Sequence, residues 1–154
     1  MSKKPKDLVL PQGYGKIVRQ RKWLPTLNEL IDRLSIVQLK EIFIPEHAAE
    51  YRAEKALLIH DIDLLLDGRA LDARTLHAIQ LVMLSNRVIW ENESKARAGG
   101  SDQDKLLKFT HSINGVRNRA KNIIAELDGG RKDFKLDCLA AELDPAFGNW
   151  DIFK

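Results

Sequence analysis

Four long stretches of this 154-residue chain place apolar residues at helical spacing, and each is bounded by a recognisable start or stop signal. That pattern limits the fold more than any other feature. In "PTLNELIDRLSIVQLKEIF", Leu27, Leu30, Ile31, Leu34 and Val37 keep the 3.6-residue period, and Thr26 followed by Glu29 forms a capping-box signature. Pro45 ends or kinks that helix and suits the first turn of the next, which runs to a stop at Gly68. Asp72 can cap a third helix that closes at Gly99 and Gly100. Ser101 or Asp102 can cap a fourth, closed by Gly129 and Gly130. No alternating strand pattern and no repeat interrupts them. The expectation is an all-α antiparallel bundle of about four long helices. Residues 1–22 form an irregular basic arm, residues 23–130 the bundle, and residues 131–154 a tail with a short helix around 133–143. The apolar tail end (Phe147, Trp150, Ile152, Phe153) should dock on the bundle or on a partner.

Composition narrows the classes. Hydrophobic content of 44% and charged content of 31% are ordinary for a globular protein. The single Cys138 excludes a disulfide framework and a cysteine-rich zinc site, and no His-x-x-x-His pair occurs among His47, His60, His77 and His111. No stretch approaches ~18 uninterrupted apolar residues, so a soluble, cytoplasmic protein without a membrane segment is expected. The arm carries seven cations against Asp7, a charge of +6, which leaves −3 for the rest of a chain whose net charge is +3. Such an arm can bind nucleic acid, but it lacks interleaved aromatics for stacking on bases, and a solubilising terminus is the plainer reading. Homo-oligomerisation through a helical face is open, without a sustained heptad to specify it.

The informative segment is "SNRVIWENESKAR", residues 85–97. The apolar line of Ile79, Val82 and Met83, continued at helical spacing, reaches Asn86, Ile89, Trp90, then Glu93 and Arg97. A carboxylate and a guanidinium on a core-facing line would cost several kcal/mol unless partnered. Partners are available on two other helices: Glu29, Asp32, Arg33 and Lys40 on the first, and Asn114, Arg117 and Lys121 on the fourth. The first of these stripes lies largely away from Leu27, Leu30 and Leu34 and also reads as a solvated face. The fourth-helix stripe borders the arc of Leu106, Ile113, Ala120 and Ile124.

The segments "ELIDRLSIVQLK", "NRVIWENESKAR" and "NGVRNRAK" together resemble three successive signatures of a bacterial and phage helical domain family of unknown function. Those signatures run E-L-x-D-K-x-x-I-L-x-x-K, N-x-x-x-W-x-x-E-D-x-x-R and N-x-x-R-A-x-x-K. The resemblance spans about residues 26 to 125 and marks Glu29, Asp32, Arg33, Lys40, Asn86, Trp90, Glu93, Arg97, Asn114, Arg117 and Lys121. Arg33 stands where the pattern has lysine, Ser94 replaces its second acid, and Asn118 its alanine. The resemblance implies where a site lies, not what it does.

These stripes hold three acids against five bases, together with two amides and an indole. That surplus suits an anionic, nucleotide-like or phosphorylated ligand. Arginine grips phosphate bidentately, asparagine reads hydrogen-bonding edges, and Trp90 can stack on a base. The ligand set is then Asp32, Arg33, Lys40, Asn86, Trp90, Glu93, Arg97, Asn114, Arg117 and Lys121. A second reading is an all-α, Mg²⁺-dependent nucleotide pyrophosphohydrolase, with Glu29, Asp32 and Glu93 holding the metal. A third is a non-catalytic interaction or scaffold protein whose polar stripes form a structural ion network and whose Trp90 is core packing. Nucleophilic catalysis lacks a base near Cys138, and no glycine-rich phosphate loop is present.

Overall fold

The computed structural model describes residues 22–98 and 103–133. The basic arm, the predicted fifth helix and the aromatic tail end lie outside the described residues. Those described are helical, with no strand among them. The elements are α1 (Leu27–Phe43), a 3₁₀ turn (Pro45–His47), α2 (Ala48–Leu66), α3 (Ala73–Arg97) and α4 (Gln103–Asp128). No helix among them is long and apolar enough to cross a membrane.

The local signals act as anticipated. Thr26 and Glu29 close the capping box at the start of α1, the Thr26 amide donating to the Glu29 carboxylate at 2.8 Å. Pro45 cannot supply an amide hydrogen to continue α1, and the chain turns through the short 3₁₀ segment. Asp72 accepts the Thr75 amide at 2.7 Å and caps α3. Asp67 and Gly68 both take the left-handed conformation that ends α2, at φ 45° and 73°.

The apolar core gathers Leu27, Leu30 and Ile31 of α1, Ile62 of α2, Ala78, Leu81 and Val82 of α3, and Ala120, Ile123 and Ile124 of α4. Leu34 and Ile79 pack against its edge. Helix α3 packs chiefly on α4, α2 chiefly on α1, and α1 also meets α3 and α4. Met83, expected on the core line, is exposed instead, since only one face of α3 can meet α1 and α4. Toward the end of α3 and the start of α4 the interior mixes small polar with aliphatic side chains: Ser85, Asn86, Asn92, Ser112 and Asn118 are buried, and so are Val37, Ile89, Ile113 and Val116.

The two ends of the described bundle segment are clamped together. Asp128, at the end of α4, accepts the Leu27 amide at 3.2 Å. Asn28 donates to the Arg131 carbonyl at 3.2 Å, and the Arg131 guanidinium reaches Glu29 at 2.9 Å while lying 3.5 Å from the Trp23 ring centroid. Asn122 and Asp133 exchange two hydrogen bonds of 2.8 Å. The first tail residues are therefore held against α1 and α4.

Partial burial pushes the Glu29 carboxyl upward, but the Thr26 amide and hydroxyl and the Arg131 guanidinium outweigh it and hold it below its ordinary value of 4.5. A depressed carboxylate stabilises the fold fully above the unfolded value and loses that contribution as pH falls through the folded one. We predict that Glu29→Gln lowers stability at pH 7 by about 1 kcal/mol, a typical capping contribution. Thermal melts should show the deficit shrinking between pH 7 and a pH below the ordinary value of 4.5. An equal deficit at both pH values would show that the charge is irrelevant.

Candidate functional site

Where the interior turns polar, side chains from three helices converge on one amide. Asn86 of α3 donates through Nδ2 to Asp32 Oδ1 at 2.7 Å and to Ser35 Oγ at 2.6 Å, both on α1. Its Oδ1 accepts from Arg117 Nη1 of α4 at 3.0 Å. The second Asp32 oxygen pairs with Lys121 Nζ at 3.0 Å, and those two side chains are only 14% and 15% exposed. Ser35 completes the ring by donating to the Asp32 carbonyl at 2.8 Å. With Asn86 4% exposed, every polar atom of its amide group is used where water has little access.

The cluster holds one carboxylate, Asp32, paired with Lys121, and a second cation, Arg117, bonded to the neutral Asn86 amide. Two buried polar atoms beside it, Arg117 Nε and Ser85 Oγ, have no hydrogen-bond partner among the described residues. Low local dielectric raises the cost of leaving such atoms unpaired.

Of the ten candidate ligand residues, the structure brings together Asp32, Asn86, Arg117 and Lys121. Trp90 and Asn114 are half-buried on α3 and α4, with no hydrogen bond among the described residues joining either to the cluster. The Trp90 ring lies 6.3 Å from that of Phe43, tilted by 31°. Arg33 turns to α2 and pairs with Glu54 at 2.6 Å in an exposed position. Lys40 lies 5.8 Å from the Tyr51 ring centroid.

Glu93 and Arg97 correct the sequence expectation of a core-facing position. They pair with each other at 3.3 Å, one turn apart on α3, with side chains 56% and 81% exposed. The cause is the length of α1. The Asn86 side of α3 faces α1, yet Trp90 already sits against Phe43, the last residue of α1. Glu93 and Arg97 come one and two turns later, where that covering helix has ended. The three carboxylates considered for Mg²⁺ are likewise dispersed: Glu29 on Thr26 and Arg131, Asp32 on Asn86 and Lys121, Glu93 on Arg97. No group of three His, Cys, Asp or Glu side chains suited to a metal occurs among the described residues.

Sequence reasoning missed Ser35 and Ser85. Ser35 lies four residues after Ile31, on the buried side of α1, and Ser85 three after Val82 on α3. A small hydroxyl among aliphatics at that spacing was the available signal. Comparison with family models, with curated proteins and with solved structures returned no match. The site is therefore read from its own chemistry.

Breaking this cluster on one side should be costly. Asp32→Leu leaves Lys121 without its carboxylate and one Asn86 Nδ2–H without its acceptor, and we predict a loss on the order of 3 kcal/mol in urea denaturation. Replacing Asp32 and Lys121 together by leucine should cost less than Asp32→Leu alone, because no buried charge is then stranded. Additive losses would refute the coupling.

Proposed function

We propose that the protein binds a small anionic ligand, nucleotide-like or phosphorylated, on the Arg117–Lys121 side of the cluster between α1, α3 and α4. One observation carries this reading: Lys121 pairs with Asp32, Arg117 reaches the cluster only through the neutral Asn86 amide, and the buried Nε–H of Arg117 has no acceptor among the described residues. A phosphate or carboxylate oxygen would supply that acceptor and balance the surplus charge. The half-buried Trp90, one turn beyond Asn86, would offer an apolar surface to a ligand ring.

The reading takes the helices as an antiparallel bundle. Contacts of Arg74 with Glu126 and of Asn92 with Thr110, near opposite ends of α3, support that arrangement. It also takes the chain as a relative of the helical family that it resembles. Asp32, Asn86 and the Arg117–Lys121 pair come from the first, second and third signatures in turn.

A structural reading has its own support, since the Asn86 amide is fully used within the protein and ties three helices together. Calorimetric titration with inorganic phosphate, nucleoside monophosphates and nucleoside triphosphates separates the two. We expect binding by at least one probe, weakened tenfold or more in Arg117→Lys, which keeps the charge and loses the fork. No binding by any probe at millimolar concentration, with Arg117→Ala losing about 3 kcal/mol of stability, would establish a purely structural network. Phosphate release measured in the same mixtures reports turnover.

A further inference from the structure

We propose that a cleft between α2 and α3 binds a single-ring phenol, a neutral aromatic ring carrying one hydroxyl. The cleft follows from how the helices pair. Helix α2 packs chiefly on α1 and α3 chiefly on α4, and the backbones of α2 and α3 hardly approach each other. Both nevertheless lie along α1, which leaves a gap with α1 as its floor. Ile31 and Ser35 of α1 and Ile62 of α2 are buried at its base, and Leu34, Leu66 and Ile79 line it half-buried. Leu71, on the link between α2 and α3, also lines it. The remaining lining residues, Gln38 and Met83, come one turn after Leu34 on α1 and Ile79 on α3.

The volume of the cleft, about 180 Å³, sets the size of its ligand. Apolar cavities of roughly 150 Å³ take up one benzene ring, whereas pockets for drug-sized molecules start at roughly 300 Å³. The lining sets the polarity. Among the described residues no charged side chain lines the cleft, so an ion entering it would lose water and gain no counter-charge. Its two polar residues differ in what they have left to offer. The Ser35 hydroxyl is spent on the other side of α1, donating to the Asp32 carbonyl at 2.8 Å and accepting from Asn86 at 2.6 Å. The half-buried Gln38 amide has no hydrogen-bond partner among the described residues. One amide beside an aliphatic space holds one hydroxyl, and that favours a phenol where a purely apolar pocket would favour the hydrocarbon. Met83, 43% exposed, brings a flexible thioether that makes favourable contact with an aromatic ring.

Methyl NMR spectra of the full chain, titrated with phenol, toluene and benzoate, test the site. Phenol up to about 10 mM should shift the Ile31, Ile62, Ile79 and Met83 methyls saturably, with the roughly millimolar dissociation constant that so few ligand atoms permit. Benzoate should leave those methyls unmoved. Gln38→Leu should weaken phenol about fivefold, the worth of one hydrogen bond, and leave toluene within about twofold. Leu71→Trp, with helical circular dichroism unchanged, fills the space and should weaken both phenol and toluene about tenfold or more. The absence of saturable shifts, benzoate binding at the same methyls, or a phenol affinity unaltered in Gln38→Leu would overturn the proposal. So would phenol binding that appears only in Trp150→Ala or Phe153→Ala, since a side chain of the tail would then be the occupant.

Discussion

One side-chain amide holds the polar half of this protein together. Asn86 has a donor group and an acceptor group, and the structure commits both, to Asp32 and Ser35 on α1 and to Arg117 on α4. An apolar residue in its place would leave a carboxylate, a hydroxyl and a guanidinium to find partners in a space with almost no water. Directional bonds of this kind discriminate between helix registers in a way that aliphatic packing does not, because a one-turn slip along α3 would strand all three partners.

The interior therefore has two parts with different physics. Near the clamp formed by Asp128, Arg131 and the start of α1, Leu27, Leu30, Val82 and Ile124 supply non-directional burial. Toward the other end, Ser85, Asn86, Asn92, Ser112 and Asn118 add hydrogen-bonding capacity to an interior that still buries Val37, Ile89, Ile113 and Val116. The apolar part favours compactness, and the polar part decides alignment. The surplus cation and the unpaired Arg117 Nε lie in that second part, where a ligand group would have the least competition from water. Helix α2 leans chiefly on α1 and joins the apolar core through Ile62.

Much of the fold was legible along the chain because its signals are local. Thr26 with Glu29, Pro45, Asp72 and Gly68 act within a turn or two of themselves, so their reading does not depend on which helices meet. The core line of Leu27, Leu30 and Ile31 was equally plain, since periodicity alone selects one face of α1. The polar site was only partly legible. Asp32, Asn86, Arg117 and Lys121 were chosen for their place on helical stripes, and these four do converge. Ser35 and Ser85 were passed over because a small hydroxyl on an aliphatic stripe is a weaker signal than a charge or an amide there.

The sequence by itself determined where α1 and α3 begin, where α1, α2 and α4 end, which face of α1 is apolar, and which polar residues lie in line with the core. Capping and periodicity are properties of a single helix. Tertiary structure alone decided which of those polar residues would be enclosed. Asn86 and Glu93 occupy the same stripe, but α1 covers the first and stops at Phe43, before the second. Arg33 and Asp32 are adjacent in the chain, yet one faces Glu54 of α2 and the other Lys121 of α4, because α1 lies between those helices. A stripe specifies direction around a helix axis. Only the length and placement of neighbouring helices specify whether anything lies in that direction, and that is a property no single segment encodes.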